Sequence, residues 1–133
     1  MGFRTILVET RPERLKGAEW PPAIGSLSEL GAAIGSDVYA VHTDHDAEDL
    51  VQALEALLPS EPRFIGLVGS RRHTGHHLEA LRAKGVPEEV ISRIQSPVGL
   101  DLGSTTPGEI ALSILAGLVA VRRGGRGGWK AGG

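Results

Sequence analysis

Apolar residues along this chain of 133 residues fall into two rhythms. Short runs rich in apolar and β-branched residues occupy residues 4–11, 37–43 and 64–69, and each gives way to polar residues or glycine. Such runs suit strands of a parallel sheet, which are buried on both faces and need no alternation. Between them, apolar residues recur three and four apart, as on one face of a helix. Residues 47–58 place Leu50, Leu54 and Leu57 in this way, and residues 71–84 carry a stripe of Leu78 and Leu81. From residue 107 onward, Ile110, Leu112, Ile114, Leu115, Leu118 and Val119 make a helix apolar around much of its circumference, which predicts deep burial. Strands alternating with helices predict the α/β class, a mostly parallel sheet with helices on its faces.

Helix breakers and caps divide these runs. Trp20-Pro21-Pro22 bars a helix, so residues 16–25 read as irregular, with Trp20 packing beneath the loop. Ser26 and Glu29 have capping-box spacing and open a short helix that Gly35 ends. Gly85 ends the helix begun at residue 71, and Pro87 opens another short one through Ile94 from a first-turn position. Thr106-Pro107-Gly108-Glu109 opens the last helix in the same manner, and Arg122-Arg123 sit at its C-terminal end, where the dipole favours them. Residues 124–133 hold six glycines and little apolar content, and are expected to be a disordered tail.

Composition narrows the function. A net charge of −2 gives no electrostatic case for a nucleic-acid partner, and two Trp, one Tyr and two Phe make a poor stacking platform. Without cysteine there is no disulfide, thiolate nucleophile or cysteine-ligated metal. No apolar run has membrane-spanning length and no signal peptide opens the chain, so no membrane association and a cytoplasmic location are expected.

Two stretches carry chemistry. Phe64-Ile65-Gly66-Leu67-Val68-Gly69-Ser70-Arg71-Arg72 runs from an apolar strand into a helix. Gly69 permits a tight exit, and Ser70 can cap the helix by accepting bonds from its free N–H groups. Those N–H groups, with Arg71 and Arg72, favour an anion such as a phosphate; the plain alternative is an ordinary junction with solvated arginines. The second stretch, Ser96-Pro97-Val98-Gly99-Leu100-Asp101-Leu102-Gly103-Ser104-Thr105-Thr106-Pro107-Gly108-Glu109, is punctuated by glycine before the last helix. The two turns are predicted to lie side by side at one sheet edge. Thr43, Asp44, His45 and Asp46 follow a strand, where α/β sheets bind ligands, although both aspartates also suit helix caps. His73, His76 and His77 share a helical face, and a solvated basic face is a better reading than a metal site. Glu9 ends the first strand, where an acidic residue can hold ribose hydroxyls. No G-x-G-x-x-G, P-loop or H-E-x-x-H pattern occurs.

Taken together, the two glycine-rich stretches resemble the C-terminal Rossmann-like domain of the XdhC/CoxI family. Its members are accessory proteins that mature molybdenum-cofactor hydroxylases such as xanthine dehydrogenase. The family pattern is close to I-G-L-[IL]-G-S-R-R, followed after a helix by P-[IV]-G-L-D-[IL]-G-x-x-T-P-E-E-I-A. Residues 65–72 and 97–114 carry it, with Gly108 where glutamate is usual. Val8 to Pro12 match V-[DE]-x-R-P, and Thr43-Asp44-His45-Asp46 depart from the usual T-H-D-H order. The resemblance runs from about residue 3 to about residue 123, one domain of residues 1–123 ahead of the tail.

The resemblance implies a Rossmann-like three-layer α/β/α fold with a mostly parallel sheet, lacking at its N-terminus the first strand and glycine-rich turn. It implies a molybdopterin-type or nucleotide cofactor, held by Glu9, Arg11, Thr43, Asp44, His45, Gly69, Ser70, Arg71, Arg72, Gly99, Asp101, Gly103 and Thr105, with no metal bound directly by the chain. The implied partner is a molybdenum hydroxylase, and the implied role is a chaperone of cofactor insertion without turnover. The alternatives are an NAD(P)-binding oxidoreductase-like domain, with His45 as first candidate for a general base, and a degenerate domain that only makes protein contacts. In the strand order 3-2-1-4-5-6, residues 5–9 form strand 2 and residues 38–43 form strand 4. Without strand 1 the two strands either pair directly or leave an edge for another chain, and the expectation is a homo-oligomer, most simply a dimer.

Overall fold

The computed structural model describes residues 2–9, 11, 13, 23–24, 37–44 and 50–130. They belong to two compact units, Met1–Val38 with Glu48–Arg63, and Tyr39–Ala47 with Phe64–Gly133.

In the first unit, β1 (Leu7–Val8) pairs in parallel with β2 (Ala23–Ile24), Leu7 opposite Ala23. The sequence reading has residues 16–25 irregular, so β2 is a correction. A two-residue strand has no period of its own, and its existence rests on the partner that supplies the ladder. The expected helices at residues 26–34 and the start of the one at 47–49 lie outside the described residues, as does Trp20. The described helix α1 (Leu50–Leu57) buries Leu50 and Leu54, two of the three leucines expected at core spacing. A 3-10 turn, Leu58–Ser60, follows with proline in its first positions. Arg63 N donates to Val38 O at 2.8 Å, and its guanidinium meets Asp37 at 3.0 Å.

The second unit is built on a three-stranded parallel sheet in the order β3 (Tyr39–His42), β4 (Phe64–Leu67), β5 (Ile94–Gln95). Tyr39 lies opposite Phe64 and Ile65 opposite Ile94. β4 is central, and Ile65, Gly66 and Leu67 are buried, as a parallel strand covered on both faces requires. Helix α2 (Arg71–Ala83) connects β4 to β5 together with the short α3 (Glu88–Ser92). Gly85, at φ 88°, turns the chain out of α2, and Val86 N reaches back to Leu81 O at 3.1 Å. Pro87 stands at the N-cap of α3 rather than in its first turn. Ile94, expected to end that helix, is instead a buried strand residue, since pairing with Ile65 gives its backbone a ladder.

Every described pairing is parallel, β1 with β2 in the first unit and β3-β4-β5 in the second. The fold class is α/β, as expected.

The last helix, α4 (Pro107–Arg123), carries a full capping box. Thr106 Oγ1 accepts from Glu109 N at 3.2 Å, and Glu109 Oε1 accepts from Thr106 N at 3.1 Å and from Thr105 N at 3.0 Å. Gly124, at φ 72°, closes its C-terminus. Its burial corrects the expectation: only Ser113 and Leu118 are buried, while Leu112 is 59% and Leu115 37% exposed. Helical periodicity counts apolar residues but cannot say how many neighbours exist to cover them. No helix among the described residues is long and apolar enough to cross a membrane.

The bonds from Thr105 N and Thr106 N hold the Glu109 carboxyl below the ordinary glutamate range. A depressed folded-state value stabilises the helix above the unfolded value and loses that contribution as pH falls through the folded one. The N-terminal turns of α4 should therefore loosen below about pH 4.3. Acid titrations by circular dichroism should show Glu109→Gln lacking this part of the transition. Superimposable acid profiles for parent and variant would contradict the assignment.

Candidate functional site

All three strands of the second unit are parallel, so their C-terminal ends share one edge of the sheet, the edge where open α/β sheets hold ligands. His42, Thr43 and Asp44 leave β3 there, Val68, Gly69 and Ser70 leave β4, and Ser96 onward leaves β5. Val68 N donates to His42 O at 2.9 Å and Val98 N donates to Leu67 O at 3.0 Å, which extends the ladder on both sides of β4 past its C-terminal end.

Gly69 has φ 122°, a conformation that L side chains rarely adopt, and this directs the chain into α2. Ser70 stands at the N-cap of α2 in an extended conformation, but its side chain makes no capping bond to this terminus. The expected acceptor role of Ser70 is thus corrected. Its Oγ lies 3.0 Å from His73 Nδ1 instead, because the imidazole one turn along offers a competing partner. His73 N and Thr74 N both donate to Ser70 O, at 2.9 and 3.0 Å. Among the described residues, the α2 N-terminus therefore presents its first N–H groups without a side-chain acceptor, with Arg72 exposed beside it. A terminus of this kind attracts anions through both its donors and its dipole.

A buried hydroxyl pair ties the two glycine-rich stretches together. Thr74 and Ser96 are 0% and 3% exposed, and their oxygens are 2.7 Å apart. Thr74 Oγ1 also lies 3.1 Å from Ser70 O, and Ser96 Oγ lies 3.2 Å from Gly69 O. Two hydroxyl protons serve these three contacts, so the pair is a shared network holding the β4 turn, the first turn of α2 and the end of β5. Sequence reading missed Thr74. Its only local signal is its position one turn after Ser70, on the stripe with buried His77 and Leu81. The same stripe corrects the expected solvated histidine face, since His77 is buried while His73 and His76 are exposed. The His76 and His77 rings lie 3.8 Å apart. Among the described residues, no cluster of His, Cys, Asp or Glu has the arrangement to hold a metal.

Beyond the Ser96–Pro97 cis peptide bond, the chain crosses β4 and settles on α4. Val98 lies over Gly66, where a Cβ would stand 2.9 Å from Val98 Cβ. Gly99, at φ 110°, lies against Ser113, and Leu100 N donates to Ser113 O at 3.0 Å. An apolar depression of about 290 Å³ opens here between Phe64, Leu100 and Ile114. Asp101 and Gly103 are exposed, and Asp101 Oδ1 accepts from Gly103 N at 3.4 Å. Thr105 is committed to the Glu109 carboxylate of the capping box.

The remaining expected site residues divide. Asp44 N donates to His42 Nδ1 at 3.3 Å, and Thr43 is exposed. His45 and Asp46 lie outside the described residues, and so does the Arg71 side chain. Glu9, in the first unit, has its carboxylate gripped by Arg11: Nη2 to Oε1 is 2.9 Å and Nε to Oε2 is 3.2 Å. A ribose at Glu9 would have to share that carboxylate with a guanidinium.

Comparison with known proteins adds to this geometry. The family described as the XdhC Rossmann domain matches residues 1–118. The Escherichia coli (strain K12) protein YqeB is 33% identical over 96% of this chain and 25% of its own length. The molybdenum cofactor insertion chaperone PaoD of the same organism is 30% identical over 71% of this chain and 30% of its own. A probable xanthine dehydrogenase subunit of Bacillus subtilis (strain 168) is 29% identical over 92% of this chain and 37% of its own. Among solved structures, one described as a xanthine dehydrogenase from Bacillus halodurans superposes with a TM-score of 0.70 at 27% identity, covering 92% of this chain and 36% of that one. The chain thus spans between 25% and 37% of the length of these curated relatives.

Proposed function

The chain belongs to the XdhC family through its Rossmann domain, and from that premise we propose that it serves as an accessory factor for a molybdenum hydroxylase of the xanthine dehydrogenase type. In this reading it binds a phosphate-bearing pterin or nucleotide cofactor and assists its insertion, acting in the cytoplasm and without turnover of its own. The observation that supports it is the uncapped N-terminus of α2, placed by Gly69 at the C-terminal edge of the sheet with Arg72 beside it. The residues fit a phosphate: the first turn of α2 offers N–H donors and a helix dipole and carries the exposed Arg72. Arg71 would add a second guanidinium. Thr43 and Asp44, at the neighbouring strand end, would meet the polar remainder of the ligand, with His45 and the exposed Asp101 and Gly103 as further candidates. Gly99 holds the second turn in place. The cofactor itself supplies the molybdenum-binding chemistry.

The support from relatives is in their names, since one is called a molybdenum cofactor insertion chaperone and another is named for xanthine dehydrogenase. An oxidoreductase reading is weakened by the Arg11 grip on Glu9, the carboxylate that would hold a nicotinamide nucleotide's ribose.

Thermal-shift titration with molybdopterin, GTP and NAD separates the readings. Molybdopterin or GTP should raise the melting temperature, and NAD should not. Arg72→Glu should weaken the stabilising ligand by roughly tenfold or more, because a charge-assisted phosphate contact is replaced by repulsion. Undiminished binding by Arg71→Ala and Arg72→Ala variants would sink the site, and steady NADH formation by the purified chain would sink the non-catalytic role.

A further inference from the structure

Exposed leucines are ordinary when scattered, but those of α4 share a face. Leu112, Leu115, Ala116 and Val119 recur at three- and four-residue intervals, which places them along one side of the 17-residue helix. Leu112 and Leu115 are 59% and 37% exposed; on the opposite side Ser113 and Gly117 meet Gly99 and Leu100, with Ile110 and Val121 38% and 45% exposed toward the two ends of the helix. Charge brackets the stripe. Glu109 stands one turn before Leu112, and Arg122 and Arg123 stand one turn after Val119. The capping contacts of Glu109 all fall on Oε1, which leaves Oε2 for a further partner.

We infer that this face binds a second copy of the chain, α4 against α4 in antiparallel fashion about a two-fold axis between Leu115 and Ala116. That register is self-complementary, as a two-fold interface must be. Leu112 meets the copy's Val119, Leu115 meets the copy's Ala116, and Glu109 meets the copy's Arg122. A parallel pairing would set Glu109 on Glu109 and the arginine ends on each other, which like-charge repulsion disfavours. Ala116 at the crossing point lets the two backbones approach. The helix is about 25 Å long, so the buried surface falls in the small, reversible class of interface. Association is thus expected at roughly 10–100 µM protein rather than at nanomolar concentration. This interface is distinct from the strand-edge pairing expected from sequence, and it does not depend on the cofactor reading.

Sedimentation velocity of the 133-residue chain over that concentration range is the test. The parent should shift from monomer to dimer. Leu112→Glu with Leu115→Glu should stay monomeric at the highest concentration, with an unchanged melting temperature because both side chains are exposed. Register can be read separately, since the chain contains no cysteine. Leu115→Cys lies beside the axis and should cross-link to itself on oxidation. Leu112→Cys alone should not, because its copy lies about 10 Å away along the axis, beyond disulfide reach. A mixture of Leu112→Cys and Val119→Cys chains should cross-link. A monomer at every concentration, or a dimer that survives the double glutamate substitution, would overturn the proposal.

Discussion

Gly66→Ala should lower the stability of the chain by about 1–3 kcal/mol, an unusually large effect for the addition of one methyl group. Gly66 sits in the middle of β4, the central strand, with a normal backbone conformation, so no strain is at issue. The obstacle is space. The new Cβ would collide with the nearer Val98 methyl, and would stand 2.9 Å from both Val98 Cβ and Phe64 Cε1. Phe64 lies two residues earlier on the same strand face, and Val98 is held by its backbone bond to Leu67 O at 3.0 Å. The ring can turn aside, but the backbone of residue 98 cannot without breaking that bond. Denaturant unfolding of Gly66→Ala, Val98→Gly and the double variant measures the coupling. The double variant should be more stable than the sum of the single losses implies. Strict additivity would mean that Val98 does not set the limit at Gly66. Because the collision displaces the chain between Ser96 and Gly99, Gly66→Ala should also weaken the phosphate-bearing ligand of the proposed site.

Gly99→Ala should cost about 2–4 kcal/mol, and for a different mixture of reasons. Its φ of 110° is strained for any residue with a Cβ, and that Cβ would stand 2.5 Å from Ser113 Oγ. The Ser113 hydroxyl donates to Ile110 O at 2.7 Å, so turning it away sacrifices a partly buried bond. Ser113→Ala removes the oxygen but leaves the backbone strain. Combined with Gly99→Ala it should recover only part of the loss, unlike the conflict at Gly66, where side-chain crowding by Val98 and Phe64 is the whole obstacle. Complete recovery in the double variant would show that the strain at residue 99 is negligible.

What the sequence determined by itself is local. The apolar run from Phe64 to Leu67 reads as a buried parallel strand, and Gly69 reads as its exit into a helix, because each follows from a few adjacent residues. Gly85 as the end of α2 and Pro107 as the start of α4 follow in the same way. The Thr106–Glu109 capping box was legible too, since it has the spacing read at Ser26 and Glu29. Tertiary structure decided the rest. β2 and β5 have two residues each, too few for any period, and exist only through the backbones they pair with. Ser70 has the composition of a cap, yet the choice between helix N–H groups and His73 belongs to side-chain geometry. Thr74 and Ser96 are 22 residues apart, and their contact exists because α2 returns the chain beside β4. Burial of α4 was misjudged for the same reason: a sequence shows which side chains avoid water, but only the packed chain shows whether anything stands opposite them.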